Sequence, residues 1–222
     1  MSTDRFGLFD TPPGRKHVRL SLVVIALMLA VFFLTLPVRN VQLARIDAFI
    51  PMIDAIMFVG ELIIATLLYA QASVFRSRAL TILAGAFVFA ALLVVPHALT
   101  FPGAFAPDGW LGAGVNSSAW IYTIRRMALP VAVIGYVLLK KVDGATKPGP
   151  DRPAPAIAWS LFAAIILAGG VTLLATAGHD LLPPFFLTHS ELLYSKALLY
   201  EFTVFALFVT AMTMLFRARG SV

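Results

Sequence analysis

The chain has 222 residues, of which 60% are hydrophobic and 13% are charged, and its mean hydropathy is +0.91. These values exclude a soluble globular domain and indicate an integral membrane protein. The formal net charge of +6 does not indicate nucleic-acid binding, because the basic residues stand at the ends of apolar runs, where they set membrane topology.

Six apolar runs follow one another, and each has about the 20 residues that a helix needs to cross a bilayer. The sequence therefore predicts an all-α, polytopic membrane bundle of six transmembrane helices. These helices form one domain over residues 20–219, after a polar N-terminal tail at 1–19. The first run is too long for a cleavable signal peptide and lacks a clear cleavage site. The predicted spans are residues 20–37, 49–74, 79–100, 118–139, 156–177 and 190–216.

Glycine and proline accumulate in the longer connections between these spans. Phe101 to Asn116 contains six of them among aromatic residues, which predicts an apolar loop at the membrane interface. Residues 140–155 contain six more and predict a cytoplasmic linker with little regular structure. Gly178 to Pro184 predicts a helix end with a break, and Ser190-Glu191 predicts the cap of the sixth helix.

The basic residues outside the spans are distributed unevenly between the two sides of the membrane. The N-terminal tail and the 140–155 linker carry four Lys or Arg each, and the turn at 76–78 and the C-terminal end carry two each. The opposite side carries only Arg39, Arg45 and Lys196. By the positive-inside rule, both termini and the linker are cytoplasmic.

Two adjacent arginines, Arg125 and Arg126, lie inside the fourth span, where an unpaired arginine costs roughly 2.5–3.5 kcal/mol on translocon scales. Glu61, Arg125 and Glu201 lie 15, 15 and 16 residues from the basic residues that end their spans. At ~1.5 Å per residue, all three are roughly 22–24 Å from the cytoplasmic boundary. The sequence therefore predicts a charged layer in the outer half of the membrane.

Asp54 and His97 lie further out by the same count, at roughly 33 Å and 28 Å. Asp54 and Glu61 are seven residues apart, so they share one face of the second helix.

Two interpretations of the charged layer remain open at the level of sequence. In one, interhelical ion pairs fix the packing of spans two, four and six. In the other, the layer is a ligand pocket open to the outer side. Because neighbouring helical residues point ~100° apart, one arginine pairs with Glu61 while the other meets Glu201 or faces the cavity. The candidate ligand-binding residues are Arg125, Arg126, Glu61, Glu201, Asp54, His97, Trp120 and Tyr122.

Aromatic residues near the same level have two interpretations as well. Trp110, Trp120, Tyr122, Tyr194 and Tyr200 form either an interfacial belt, which is the commoner role, or the walls of a ligand site.

The histidines His97, His179 and His189 are weak candidates for metal ligands, because no local spacing of metal-site type supports them. A haem held by His97 and His179 is a further weak alternative, and we expect neither a metal nor a cofactor. The absence of cysteine excludes disulfides, thiolate metal sites and cysteine nucleophiles. The phosphate-binding glycine loop, H-E-x-x-H and G-x-S-x-G motifs are also absent, so we expect no enzymatic activity.

Three stretches resemble a known family. They are residues 78–103, which include Pro96-His97-Ala98-Leu99-Thr100-Phe101-Pro102-Gly103, the Trp120 span through Leu129-Pro130 and Gly135-Tyr136, and the break at 178–184. They are similar to the membrane-associated sensor (MASE) domains of the fourth type, found in bacterial signalling proteins. The resemblance implies a sensor in the bacterial inner membrane that signals to a diguanylate cyclase or histidine kinase domain, in cyclic-di-GMP or two-component signalling. It implies no specific site residues.

The sequence thus predicts a non-enzymatic sensory domain that detects an extracytoplasmic or membrane-borne signal. A small transporter or permease that uses the charged layer as its substrate site is one alternative, and a structural membrane anchor is another. The expected partners are the lipid bilayer, a small-molecule ligand and a C-terminal output domain that lies beyond residue 222, with a homodimer as a further alternative and no nucleic acid.

Overall fold

The computed structural model describes residues 14–38, 41, 46–145, 153–188 and 191–219. The chain divides into two compact units, residues 1–46 and residues 47–222. The described part of the first unit is helix α1 (Arg15–Thr35) followed by a short 3-10 helix (Leu36–Val38). Helix α1 begins five residues before the predicted span, so its first turn contains the basic residues Arg15 and Lys16.

The second unit contains five long helices and one small pair of strands. The helices are α2 (Phe49–Phe75), α3 (Arg78–Thr100), α4 (Ser117–Ala145), α5 (Pro153–Thr176) and α6 (Tyr194–Arg219). Between α5 and α6 lie a 3-10 helix (His179–Leu181) and the antiparallel strands β1 (Phe186–Thr188) and β2 (Glu191–Leu192). With α1, six helices in the described part of the chain are long and apolar enough to cross a membrane, which confirms the predicted number of spans.

Several other helix boundaries also differ from those predicted, and α5 begins at Pro153, inside the predicted 140–155 linker. Helix α4 continues to Ala145, beyond the residue at which we predicted the linker to begin. Helix α6 begins at Tyr194, so the cap predicted at Ser190-Glu191 is wrong: Glu191 belongs to β2, and Ser190 lies outside the described residues. Glu191 lies opposite Thr188 in the strand register, and this pairing replaces the first helical turn that we predicted.

The turn between α2 and α3 explains why the two helices lie side by side. Arg76 ends α2 in the left-handed conformation, with φ of 51°, and the Ser77 amide donates a hydrogen bond to the Ala72 carbonyl at 3.1 Å. The Ser77 hydroxyl then accepts a hydrogen bond from the Leu80 amide and caps α3. We name this end of the second unit the turn end. The opposite end, with segments 101–116 and 177–188, is the loop end.

Helix α3 is the central helix of the second unit, because it packs against α2, α4 and α5. Its buried positions include many small residues, which allow helix backbones to approach closely in a membrane. Leu93 is fully buried and packs with Ile121 of α4 and Ala168 of α5. The buried small residues of α3 are Ala79, Ala84, Gly85, Ala90 and Ala91.

A polar contact joins α2, α3 and α5 within this packing. The Tyr69 and Ser160 hydroxyls share a hydrogen bond of 2.7 Å, and the Ser160 hydroxyl also donates to the Thr81 carbonyl at 3.3 Å. A Cβ atom added to Gly85 would meet the Ser160 Oγ directly. Gly85 therefore makes room for the hydroxyl that links the three helices.

We predict that Gly85→Ala lowers the stability of the second unit by about 1 kcal/mol, because Ser160 must rotate away from its partners. Adding Gly85→Ala to a Ser160→Ala variant should cause little further loss, since the atom that clashes is already gone. Unfolding in mixed detergent micelles measures all three variants. Gly60→Ala is the matched control, because a Cβ there would meet no atom within 4 Å. Equal losses from Gly85→Ala with and without Ser160→Ala would contradict this explanation.

Candidate functional site

Three charged or polar pairs lie in the half of the second unit nearer the loop end. They join Arg125 to Glu61, Arg126 to Glu201, and His97 to Asp54. The pairs connect α2, α3, α4 and α6, and they contain six of the eight predicted site residues. The predicted level of Glu61, Arg125 and Glu201 agrees with these contacts.

The pair between Arg125 and Glu61 is buried between α4 and α2. The Arg125 Nη2 atom donates to the Glu61 Oε1 at 2.5 Å, and the two side chains are 11% and 17% exposed. Arg125 Nε also donates to the Ala90 carbonyl of α3 at 3.3 Å, and Nη2 lies 3.5 Å from the Met57 sulfur. Arg125 thus connects three helices, and among the described residues the second Glu61 oxygen has no hydrogen-bond partner.

The pair between Arg126 and Glu201 is much more open. Arg126 Nη1 donates to the Glu201 Oε1 at 2.6 Å, but the two side chains are 32% and 57% exposed. The Arg126 guanidinium also lies 5.2 Å from the centre of the Tyr122 ring, a cation–π distance. Since the two arginines are adjacent on α4 and point in different directions, they pair with different helices, α2 for Arg125 and α6 for Arg126.

The third pair joins α2 to the loop end of α3. His97 Nδ1 and Asp54 Oδ2 share a hydrogen bond of 2.8 Å, and the Asp54 side chain is only 4% exposed. The His97 ring also lies 5.8 Å from the Tyr122 ring and 6.0 Å from the Phe101 ring. Tyr122 therefore contacts both His97 and Arg126. The His97–Asp54 and Arg126–Glu201 pairs thus belong to one continuous group of side chains.

Trp120 belongs to a separate aromatic cluster that joins α4 to α6 and to the segment before β1. Its ring centre lies 4.9 Å from that of Phe185 and 5.1 Å from that of Tyr200, and Phe185 and Tyr200 are 4.6 Å apart. The Trp120 indole also donates to the Pro183 carbonyl at 2.9 Å. Trp120 and Tyr200 thus contact neighbouring side chains of the protein. Phe185 was not among the predicted site residues.

Asn116, which was also absent from the predicted site, fixes the loop end below this cluster. Its Oδ1 atom accepts hydrogen bonds from the Phe185 and Phe186 amides at 2.8 and 2.7 Å, and its Nδ2 atom donates to the Phe186 carbonyl at 3.0 Å. The Asn116 side chain thus pairs with both the amide and the carbonyl of Phe186, as the backbone of a neighbouring strand would. The sequence carries no signal for this role, because an asparagine directly before a helix predicts a cap on the first amides of that helix, whereas the Asn116 side chain bonds to Phe185 and Phe186.

The weak metal candidates do not come together in the described part of the chain. His179 Nδ1 lies 2.6 Å from the Thr176 carbonyl, and its Nε2 lies 3.3 Å from Asp180. Among the described residues, no group of three or more His, Asp or Glu side chains is placed to hold a metal ion. His189 lies outside the described residues. His97, by contrast, contacts Asp54 and two aromatic rings.

The charges of the two arginine pairs balance, because each arginine faces one carboxylate. An anion that binds to either arginine has to compete with the carboxylate already there. Such competition is much easier at the open Arg126–Glu201 pair than at the buried Arg125–Glu61 pair. The site can therefore exchange partners at one arginine while the other keeps three helices together.

A family model described as membrane-associated sensor, integral membrane domain (MASE4) matches residues 44–221. The match includes α2 to α6 and therefore every residue of the three pairs, whereas α1 precedes it. It confirms the resemblance found in residues 78–103, in the Trp120 span and in residues 178–184. No curated protein and no solved structure is significantly similar to the chain.

We predict that the two ion pairs differ in their importance for stability. Glu61→Ala should lower the free energy of unfolding by roughly 3 kcal/mol or more, because it leaves the Arg125 cation buried without its partner. Glu201→Ala should cost less, because the partly exposed Arg126 side chain can extend to the interface when its partner is removed. Unfolding in mixed micelles measures both. The double variant Glu61→Leu, Arg125→Leu should recover much of the loss, and equal effects of the two single variants would contradict the prediction.

A second prediction concerns the loop end. Asn116→Ala should raise amide hydrogen exchange at Phe185 and Phe186 by about tenfold or more, since both amides lose their acceptor. Exchange measured by mass spectrometry on peptides from residues 183–188 detects this. Asn116→Asp is the matched control, because it keeps the Oδ1 acceptor and should retain most of the protection. Unchanged exchange in Asn116→Ala would show that Asn116 does not hold this segment.

Proposed function

We propose that this chain, which belongs to the MASE4 family of membrane-associated sensor domains, converts a signal into a displacement of α6 relative to α4. The chain is a multi-pass membrane protein with a sensory role. The open Arg126–Glu201 pair is the observation that carries the proposal, because it joins the two helices and a competing group can reach it.

The packing of α6 supports this role. Among the described elements, α4 is the only helix against which α6 packs extensively, whereas α3 packs against three helices. Near the loop end, α6 is held to α4 by the Arg126–Glu201 pair and by the contact of Tyr200 with Trp120. Helices α2, α3 and α4 are connected instead by the buried Arg125. Movement of α6 therefore requires fewer contacts to break than movement of any of those three helices.

The sequence of α4 adds a point of weakness beside Arg126. Pro130 has no amide hydrogen and cannot donate to the carbonyl of Arg126, four residues earlier. The backbone of α4 thus lacks one helical hydrogen bond at the residue that binds α6. A change in the partner of Arg126 therefore acts beside this missing hydrogen bond, and its free energy can shift the population of two α4–α6 arrangements.

We further propose that the domain lies in the bacterial inner membrane with both termini in the cytoplasm. The basic residues at the turn end, such as Arg76, Arg78 and Arg217, support this orientation by the positive-inside rule. The loop end, with the site, then faces outward, and the C-terminal end of α6 faces the cytoplasm. There it delivers the movement to an output domain, a nucleotide cyclase or a kinase, while the membrane domain itself is non-catalytic.

In this proposal the eight site residues have different roles. Arg126, Glu201 and Tyr122 exchange partners when the signal arrives. Arg125, Glu61, Asp54 and His97 hold α2, α3 and α4 in place and set the position of Tyr122. Trp120 keeps α4 and α6 together through Tyr200 and Phe185.

Breaking the Arg126–Glu201 pair should move the turn end of α6 relative to α4. Because the sequence contains no cysteine, spin labels can be attached at Leu138→Cys in α4 and Met212→Cys in α6 without further changes. In nanodiscs, Arg126→Ala and Glu201→Ala should each shift or broaden the distance distribution between these labels by about 2 Å, the scale of helix shifts in switching proteins. Pulsed electron paramagnetic resonance measures the distribution.

The matched control places the labels on α3 and α4, at Ile82→Cys and Leu138→Cys. This distance should stay unchanged in Arg126→Ala, since α3 and α4 are joined by Arg125. The charge swap Arg126→Glu with Glu201→Arg should restore the original α4–α6 distribution. If Arg126→Ala leaves the α4–α6 distance unchanged, the pair does not control α6, and the function proposed here is wrong.

A further inference from the structure

The two adjacent arginines differ in how many of their hydrogen-bond donors are used. Arg125 donates to Glu61 and to the Ala90 carbonyl, and it contacts the Met57 sulfur. Among the described residues, Arg126 donates only to one oxygen of Glu201, although a guanidinium has five N–H groups. Arg126 thus has more free donors than Arg125, and its side chain is about three times as exposed as that of Arg125.

The position of this open pair along the helices limits what can reach it. Arg126 is nine residues from the start of α4, and Glu201 is seven residues from the start of α6. At ~1.5 Å per residue, the pair lies roughly 10–14 Å inside the helix ends. A bilayer of ~40–45 Å with a ~30 Å hydrocarbon core has a headgroup region of roughly 5–8 Å on each side, so this level is several ångströms below the boundary between headgroups and acyl chains. A long arginine side chain there extends toward the interface.

The surface around the pair is apolar, as a lipid-facing surface is. Phe205 and Val209 lie four and eight residues after Glu201, on its face of α6 and farther from the loop end, and they are 65% and 47% exposed. On α4, Tyr122 lies one turn from Arg126, with its side chain partly exposed. A cation with free donors therefore stands above a row of exposed apolar side chains, an arrangement that matches a molecule with an anionic head and an apolar tail.

We propose that Arg126 binds the anionic headgroup, carboxylate or phosphate, of a membrane amphiphile whose tail lies along Phe205 and Val209. This inference rests on the function proposed above and names the chemical class of its signal. The headgroup competes with Glu201 for the guanidinium. When it displaces the carboxylate, α4 and α6 lose their ion pair without leaving Arg126 unpaired.

The test measures lipid selectivity of the whole chain in phosphatidylcholine nanodiscs. Phosphatidylglycerol or phosphatidylcholine, each spin-labelled on its acyl chain, is added in trace amounts, and the fraction immobilised by the protein is determined. The unsubstituted chain should bind the anionic lipid about fivefold more strongly than phosphatidylcholine, the factor expected for one favourable charge near the surface. Arg126→Gln should remove most of this preference and leave only the part that the other basic residues contribute.

Two further variants keep the test decisive if Arg126→Gln folds poorly. Arg126→Lys should retain part of the selectivity, since it keeps the charge. Glu201→Gln should increase the selectivity severalfold, because it removes the competitor's charge. Arg217→Gln, at the turn end of α6, is the matched control for general attraction between basic residues and anionic lipids, and it should leave the Arg126-dependent part of the ratio unchanged.

Several results would overturn the inference. One is selectivity that persists in Arg126→Gln and does not rise in Glu201→Gln. A second is Arg126-dependent binding of glycerol phosphate or acetate, measured by calorimetry, without lipid selectivity, which would mean that the site binds a free anion. A third is a loss of dimers in Arg126→Gln, measured by cross-linking, which would mean that a second copy covers the pair. In each case an α4–α6 distance that still responds to Arg126→Ala leaves the proposed function standing.

Discussion

A guanidinium within a membrane-spanning helix has to be paired, and the arrangement of α2, α3, α4 and α6 depends on how Arg125 and Arg126 meet this requirement. One arginine takes a carboxylate from α2 and a backbone carbonyl from α3. The other takes a carboxylate from α6. Because adjacent residues on a helix point in different directions, a single dipeptide on α4 recruits helices on two of its sides.

The two ion pairs join the same kinds of side chain, but one pair is buried and the other is partly exposed. The buried pair maintains the structure, and the exposed pair is available to respond to a signal. Burial makes the Arg125–Glu61 pair costly to break, because either partner alone would be a charge without compensation. The Arg126–Glu201 pair can exchange its partner, because part of it is already exposed. A sensor needs both properties side by side: a fixed set of helices, and one contact whose free energy a signal can change.

The sequence predicted much of this arrangement, and physical reasons explain where it did not. The level of Glu61, Arg125 and Glu201 was predictable because helical rise is constant and basic residues mark the ends of spans. The role of Asn116 was not, since it depends on Phe185 and Phe186, about 70 residues away, in an irregular segment whose path no periodicity reveals. The start of α6 was missed because Glu191 pairs with a strand. The different exposure of the two arginines depends on side-chain packing. That any of the eight site residues binds a ligand remains a prediction.

The order in which the partners are synthesised differs for the two arginines. Glu61 precedes Arg125 by 64 residues, so the carboxylate that neutralises Arg125 already exists when α4 emerges from the ribosome. Glu201 follows Arg126 by 75 residues, which at ~5–20 residues per second delays its synthesis by roughly 4 to 15 s. When α4 enters the membrane, the partner of Arg125 has therefore already been synthesised, whereas the partner of Arg126 has not. The last helix then completes both the charge balance and the assembly of the domain.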